Sequence, residues 1–346
     1  MLRGVCRVWL VLAGLVILAS RAASALDADE IAAAWVAHEG TATYRAVGTL
    51  DERQTDASLI SVGIEVRRRA GQELIKVTRG SSYAQGVQMN DRGQSSAVYV
   101  PSESRVYRYG GGGKAGRSHR LGVLEWMVKG GSHELVGDDK VAGRSVYRLK
   151  VTAGRDRSHI YEAWIDKSEF VALRLIISWR GRIWRAISYD NVNFQAQLGD
   201  SDLDVQAGSA TDVDMAHPRV PPIFYSSGED LRKRTGIRLL VPKTLPDGYC
   251  YSSICITPPF PMNPFRRRVM VSYKNGGNLL MLVMGGNPPR GEREVGEPEP
   301  PKTPTEVRPK LFFWVKYDVR LALIGPRDAD SDSLSRTADS VDWYDR

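Results

Sequence analysis

The stretch Ile60-Ser-Val-Gly-Ile-Glu-Val-Arg67 decides the fold, because Ile60, Val62, Ile64 and Val66 alternate strictly with Ser61, Gly63, Glu65 and Arg67. A period of two places the four aliphatic side chains on one face of an extended strand and the small or charged ones on the other. The same alternation runs through Tyr147, Leu149 and Val151, then through Val171, Leu173, Leu175, Ile177 and Trp179, and more weakly through Ile183, Arg185 and Ile187. Strands with one apolar and one polar face belong to antiparallel sheets. Two segments break the period. Residues 27–38 start on acidic side chains and place Ile31, Ala34, Trp35 and His38 on one helical face; Leu121, Leu124, Glu125 and Val128 recur at helical spacing beside Trp126 and Met127. Apart from the sheet's own curvature, these are the only apolar faces available to cover it. The expected fold is therefore α+β and mainly antiparallel β: a curved sheet with a helical lid, followed by a second unit.

The N terminus carries Arg3 and Arg7 ahead of an apolar run from Val8 to Ala19 and the small residues Ala23-Ser-Ala25. That is the pattern of an export signal cleaved near Ala25. The run is shorter than the roughly 20 residues that span a bilayer, which argues against the alternative of an uncleaved anchor helix. Cys6 stands ahead of the run, where lipid attachment does not occur. The formal charge of +8 includes Arg3, Arg7 and Arg21 of this signal and falls to +5 without them. Export argues against a nucleic-acid partner and leaves a mixed-charge surface or an anionic envelope partner.

A chain of 346 residues has room for two cores. The polar stretch Gly199 to Asp214, followed by Pro218, Pro221 and Pro222, marks the boundary. The expected division is a signal over 1–25, a sheet domain over 26–214, a linker over 215–227 and a smaller α+β domain over 228–346. In the last, a helix is read near Glu229 to Arg234 and strands at 237–241, 268–273, 279–284 and 311–323. Residues 288–309 carry seven prolines and almost no large apolar side chain, and are expected to form a mobile excursion. Cys250 and Cys255, separated by four residues in an exported chain, are expected to form a local disulfide. Zinc is the weaker alternative, since no His lies near them.

No G-x-S-x-G elbow is present, and His38, His119, His133, His159 and His217 show no metal-ligand spacing. Gly110-Gly-Gly-Gly-Lys114 fails as a phosphate loop because Ala115 stands where a hydroxyl residue is needed. Asp328, Asp330, Asp332 and Asp339 imitate a calcium loop, but Ser333 occupies the obligatory glycine position, so these residues are read as helix caps. Neither catalysis nor a cofactor or metal is expected. The candidate ligand site is apolar: Trp35, Leu124, Trp126 and Met127 of the helical segments facing Ile64, Val66, Leu175 and Ile177 of the sheet. Filled core and an unfilled acyl-chain groove both satisfy this pattern.

Several phrases carry a family likeness. Tyr44-Arg-Ala-Val-Gly-Thr-Leu50 resembles the first strand of the LolA-like half-barrel proteins, and Ala97-Val-Tyr-Val-Pro101 with Arg105-Val-Tyr-Arg108 is similar to a hairpin of theirs. Val141-Ala-Gly-Arg144, Tyr147-Arg-Leu149, Glu162-Ala-Trp-Ile-Asp166 and Leu173-Arg174 resemble the back half of the same sheet. Gly236-Ile-Arg-Leu-Leu-Val-Pro242, Leu245-Pro-Asp-Gly-Tyr249, the strand ending Tyr273-Lys-Asn-Gly276, and Ala338-Asp-Ser-Val341 resemble the C-terminal domain of the MucB/RseB family of sigma-factor regulators. The likeness implies a LolA-like half-barrel with a helical lid, followed by an RseB-type α+β domain, in the periplasm. It implies a partner in the periplasmic domain of a membrane anti-sigma factor, and a lipid, lipopolysaccharide or lipoprotein acyl chain as the releasing signal. No catalytic residue is implied, and the proline-rich excursion and cysteine pair have no counterpart. A periplasmic carrier of lipids or lipoproteins is the main alternative, and an envelope hydrolase a more distant one.

Overall fold

The structure, a computed structural model, describes residues 26–110, 119–153, 159–179, 181–215, 222–259, 264–285, 301–308 and 310–344. The export signal, most of the Gly110–Lys114 loop, His217 and much of the proline-rich segment lie outside the described residues.

Helix α1 (Ala28–Glu39) begins where the acidic start placed it. The Asp27 carboxylate accepts from the Glu30 amide at 2.8 Å and the Glu30 carboxylate accepts from the Asp27 amide at 3.0 Å, a reciprocal cap that satisfies two orphan donors. Its buried side is Ile31, Ala32, Trp35 and Glu39 rather than the expected stripe, and His38 is exposed against the ring of Phe170. Glu39 turns the helix inward because it ion-pairs with Arg68 beneath it.

The sheet strands follow as β1 (Thr43–Arg53), β2 (Leu59–Arg69), β3 (Gln72–Arg79), β4 (Gln88–Asp91), β5 (Ser96–Val100) and β6 (Arg105–Tyr109). After helix α2 (His119–Gly130) come β7 (Ser132–Val141), β8 (Arg144–Ala153), β9 (His159–Asp166), β10 (Ala172–Trp179), β11 (Arg182–Asn193) and β12 (Thr211–Asp214). They form one twelve-stranded sheet in the order β12-β6-β5-β4-β3-β2-β1-β11-β10-β9-β8-β7. All pairings are antiparallel except that of the edge strand β12 with β6. The junction of the two halves is the β1–β11 pair, whose register shifts between Val47 and Gly48. A Cβ at Gly48 would lie 2.0 Å from the Ser188 carbonyl oxygen, so only glycine permits this close crossing.

One strand departs from its sequence pattern. The ladder between β9 and β10 shifts between Ala172 and Arg174, and this bulge reverses the side-chain direction. Val171 and Leu173 consequently pack in a different cluster from Leu175 and Ile177, although all four share one parity.

The second unit comprises β13 (Ile223–Tyr225), α3 (Gly228–Thr235), β14 (Leu240–Pro242), β15 (Cys250–Ile256), β16 (Val269–Asn275), β17 (Asn278–Met284), β18 (Thr305–Arg308), β19 (Leu311–Lys316), β20 (Val319–Ile324), α4 (Ser331–Asp339) and β21 (Val341–Trp343). A seven-stranded sheet runs β13-β15-β16-β17-β20-β19-β18, and β14 pairs with β21. Leu231 of α3 and Leu334 and Ala338 of α4 pack with Val271, Leu282 and Trp314 in its core. Asp330 caps α4, accepting from the Ser333 amide at 2.8 Å.

The second unit differs from its sequence reading at four places. Residues 311–323 are two strands, because Tyr317 and Asp318 both take positive φ, 52° and 66°, and turn the chain without a glycine. Tyr317 is held there by stacking on Trp343 and by donating its hydroxyl to Asp342 at 2.9 Å. Ile223–Tyr225, read as linker, is an edge strand paired with β15. Part of the proline-rich segment, Thr305–Arg308, pairs with β19. Finally, the expected disulfide is not formed: both thiols are free, Cys250 exposed and Cys255 buried, at opposite ends of β15. Five steps along an extended strand cover about 16 Å, whereas a disulfide needs Cα atoms within about 7 Å. The turn that would have joined them is absent.

Candidate functional site

Residues directly opposite in an antiparallel ladder share a face, so the registers trace one surface across the sheet. Leu149 faces Ala163, Ala163 faces Leu175, Leu175 faces Ile187, Ile187 faces Leu50, and Leu50 faces Val62. Ile64 and Val66 lie two and four positions along β2 from Val62, on the same face. They continue through Val77 and Ile75 to Met89 and Val98. All four sheet residues of the candidate groove therefore line a single apolar face.

That face has two different covers. Over β8, β9 and β10, helices α1 and α2 bring Ile31, Trp35, Leu124 and Met127 onto Leu149, Val151 and Tyr161, with Leu175 and Ile177 at the margin. Over the β1–β5 half, where Ile64 and Val66 sit, the buried cluster instead contains Phe265 of the second unit. The sequence thus brought Trp35, Leu124, Met127, Leu175 and Ile177 together, while Ile64 and Val66 belong to a neighbouring cluster. Trp126 faces away from both, 55 % exposed, because it lies one helical step from Met127 and cannot share its inward side.

Between the two covers Leu175 and Ile177 are only half-buried. Beneath the helices the Trp35 indole N–H is buried with no acceptor among the described residues. His133 fixes the lid: its ring nitrogens lie 2.5 Å from an Asp29 carboxylate oxygen in α1 and 2.9 Å from the Val128 carbonyl in α2.

At the end of the apolar face stands a titratable group that sequence reading missed. Glu52 is opposite Arg185 in the β1–β11 ladder and buried, and neither carboxylate oxygen has a hydrogen-bond partner among the described residues. Burial pushes its carboxyl up to about 7, against the opposing pull of Arg185 and Arg266. Between pH 4.5 and about 7 the native state holds a proton that the unfolded chain has released, so this group makes stability fall as pH rises through that window and stay level above it. The full effect is roughly 3 kcal/mol. Glu52→Gln removes the titration. The difference in unfolding free energy, wild type minus variant, is expected to drop from pH 4.5 to 7 in urea titrations. A difference independent of pH would show that the carboxyl is not held neutral.

No helix among the described residues is long and apolar enough to cross a membrane. No protein-family model matches the sequence, and comparison with curated proteins finds no match. Solved structures do resemble this one. The Pseudomonas aeruginosa MucA/MucB complex is similar at 15 % identity, covering 93 % of this chain and 100 % of the matched chain, with a TM-score of 0.38. A LolA superfamily protein from Nitrosomonas europaea is similar at 14 % identity over 52 % of this chain and 98 % of its own, with a TM-score of 0.28. The crystal structure of MucB matches over 92 % of this chain and 98 % of its own, at 14 % identity and a TM-score of 0.37.

Proposed function

We propose that this chain is an exported, non-catalytic envelope protein whose half-barrel takes an acyl chain and whose two-unit body engages the periplasmic part of a membrane anti-sigma factor. The observation that carries the acyl reading is the half-buried margin at Leu175 and Ile177. An apolar face that is closed on both sides and left partly open between suits a flexible alkyl chain, which gains by leaving water and needs few polar contacts. The Trp35 N–H supplies one such contact, since a buried donor without an acceptor is satisfied by the carbonyl of an ester, amide or fatty acid. The anti-sigma partner comes from the sequence likeness to the MucB/RseB regulators. A carrier would use the same face, and an adjacent lipid exporter rather than a sigma factor and its antagonist would favour that role.

Titration of the full chain with dansyl-undecanoic acid is expected to give saturable enhancement of dansyl fluorescence, competed by unlabelled long-chain fatty acid. Ile177→Glu, at the half-buried margin, is expected to weaken it at least tenfold while leaving the melting temperature within a few degrees, because the carboxylate there reaches water. Absence of saturable binding by the wild type would sink the acyl reading.

A further inference from the structure

Three consecutive residues of the second unit are each anchored in the first. Phe265, 6 % exposed, is buried in the half-barrel's apolar cluster beside Val87 and Val100, on the face traced above through Met89 and Val98. The Arg266 guanidinium lies 3.8 Å over the ring of Trp184 on β11 and is electrostatically coupled to Glu52. Arg267 ion-pairs with Glu103, which follows β5, and both side chains are 4 % exposed. The Tyr107 hydroxyl donates to the same Glu103 at 2.6 Å, and Arg267 donates from Nε to the Thr257 carbonyl at 2.7 Å. The backbone joins in, since Thr55 donates its hydroxyl to the Arg267 carbonyl.

We propose that Phe265 and an acyl chain compete for the same face of the half-barrel, so that ligand occupancy frees the second unit from the first. The inference rests on the acyl-binding reading above and adds how binding would be transmitted. Ile64 and Val66, candidate groove residues from the sequence, lie in the cluster that Phe265 completes. A chain long enough to run from Leu175 across the face, past Ile64 and Val77 to Val87, meets the Phe265 ring. The crevice left beside that ring, lined by Tyr83, Val87, Val100 and Glu103 among others, holds about 20 Å³, room for a water and not for methylenes. A ligand shifts a conformational equilibrium only by its differential affinity for the two states, and direct competition for one surface supplies that difference without any relay. The arginine anchors give the arrangement two states instead of a continuum. A guanidinium buried against Glu103 is well placed only when docked, and removing Phe265 from its site draws Arg266 and Arg267 with it through adjacent peptide bonds.

The test uses the full chain. Phe265→Ala is expected to bind dansyl-undecanoic acid at least tenfold more tightly than wild type, whereas Phe265→Leu, which refills most of the site, stays within threefold. Saturating ligand is expected to increase the wild-type radius of gyration in small-angle scattering. Glu103→Gln, which weakens the polar anchor without touching the apolar face, should show tighter binding and greater expansion even if Phe265→Ala folds poorly. Equal affinity in wild type, Phe265→Ala and Glu103→Gln, with no change in radius on saturation, overturns the competition and leaves acyl binding standing. Failure of every variant to bind the probe overturns both readings together, and is told apart from the first failure by that loss.

Discussion

Arg68→Ala is expected to destabilise the half-barrel by about 3–5 kcal/mol, the cost of stranding a buried charge partner. Arg68 is fully buried on β2, between Glu39 at the end of α1 and Glu73 on β3, whose carboxylate lies 3.2 Å from it. Its guanidinium also lies over the Tyr44 ring, 5.9 Å from the centroid. Alanine leaves two carboxylates, each 1 % exposed, facing a void without their cation. Because Glu39 is the last residue of α1, the lid should loosen before the sheet does. Hydrogen exchange is then expected to rise first in residues 28–39, alongside a fall in the urea midpoint. Combining Arg68→Met with Glu39→Leu and Glu73→Leu is expected to recover most of the loss, since well-packed apolar groups of similar volume avoid desolvating charge. An Arg68→Ala protein with wild-type stability would show that the triad is solvated in solution.

Met127→Asp should cost about 3 kcal/mol or more, while Trp126→Asp, its neighbour in sequence, should stay within about 0.5 kcal/mol. Met127 is buried on the inner side of α2 in the cluster with Trp35 and Ile31, so a carboxylate there is shut off from water. Trp126 already faces solvent. Thermal melts of the two variants side by side read the orientation of α2 directly. Equal effects, or a larger one at Trp126, would mean that the helix is rotated on the sheet. Acyl-probe affinity should follow the same ranking, because displacement of the lid also exposes the Trp35 face.

Much of this molecule was legible before any coordinates. The alternation of Ile60 to Val66 sets the inward face of β2 because a strand has only two faces and water selects between them. The acidic start at Asp27 set the start of α1 through a local cap. These signals are short-range: period, cap and breaker act over one or two turns of chain.

What remained hidden depends on contacts between residues far apart in sequence. The bulge at Leu173 arises from β9, which alone reveals that Val171 and Ile177 point to opposite sides. The Cys250–Cys255 spacing was compatible with a turn or a strand, and pairing with β16 selected the strand. The Phe265-Arg-Arg-Arg268 run was present in the sequence as an aromatic amid cations, but nothing local identifies Glu103, 164 positions away, as the partner of Arg267. Local periodicity determined which side chains avoid water; only the tertiary structure decided which other side chains they avoid it with, because a buried face specifies the need for a cover and not the segment that supplies it.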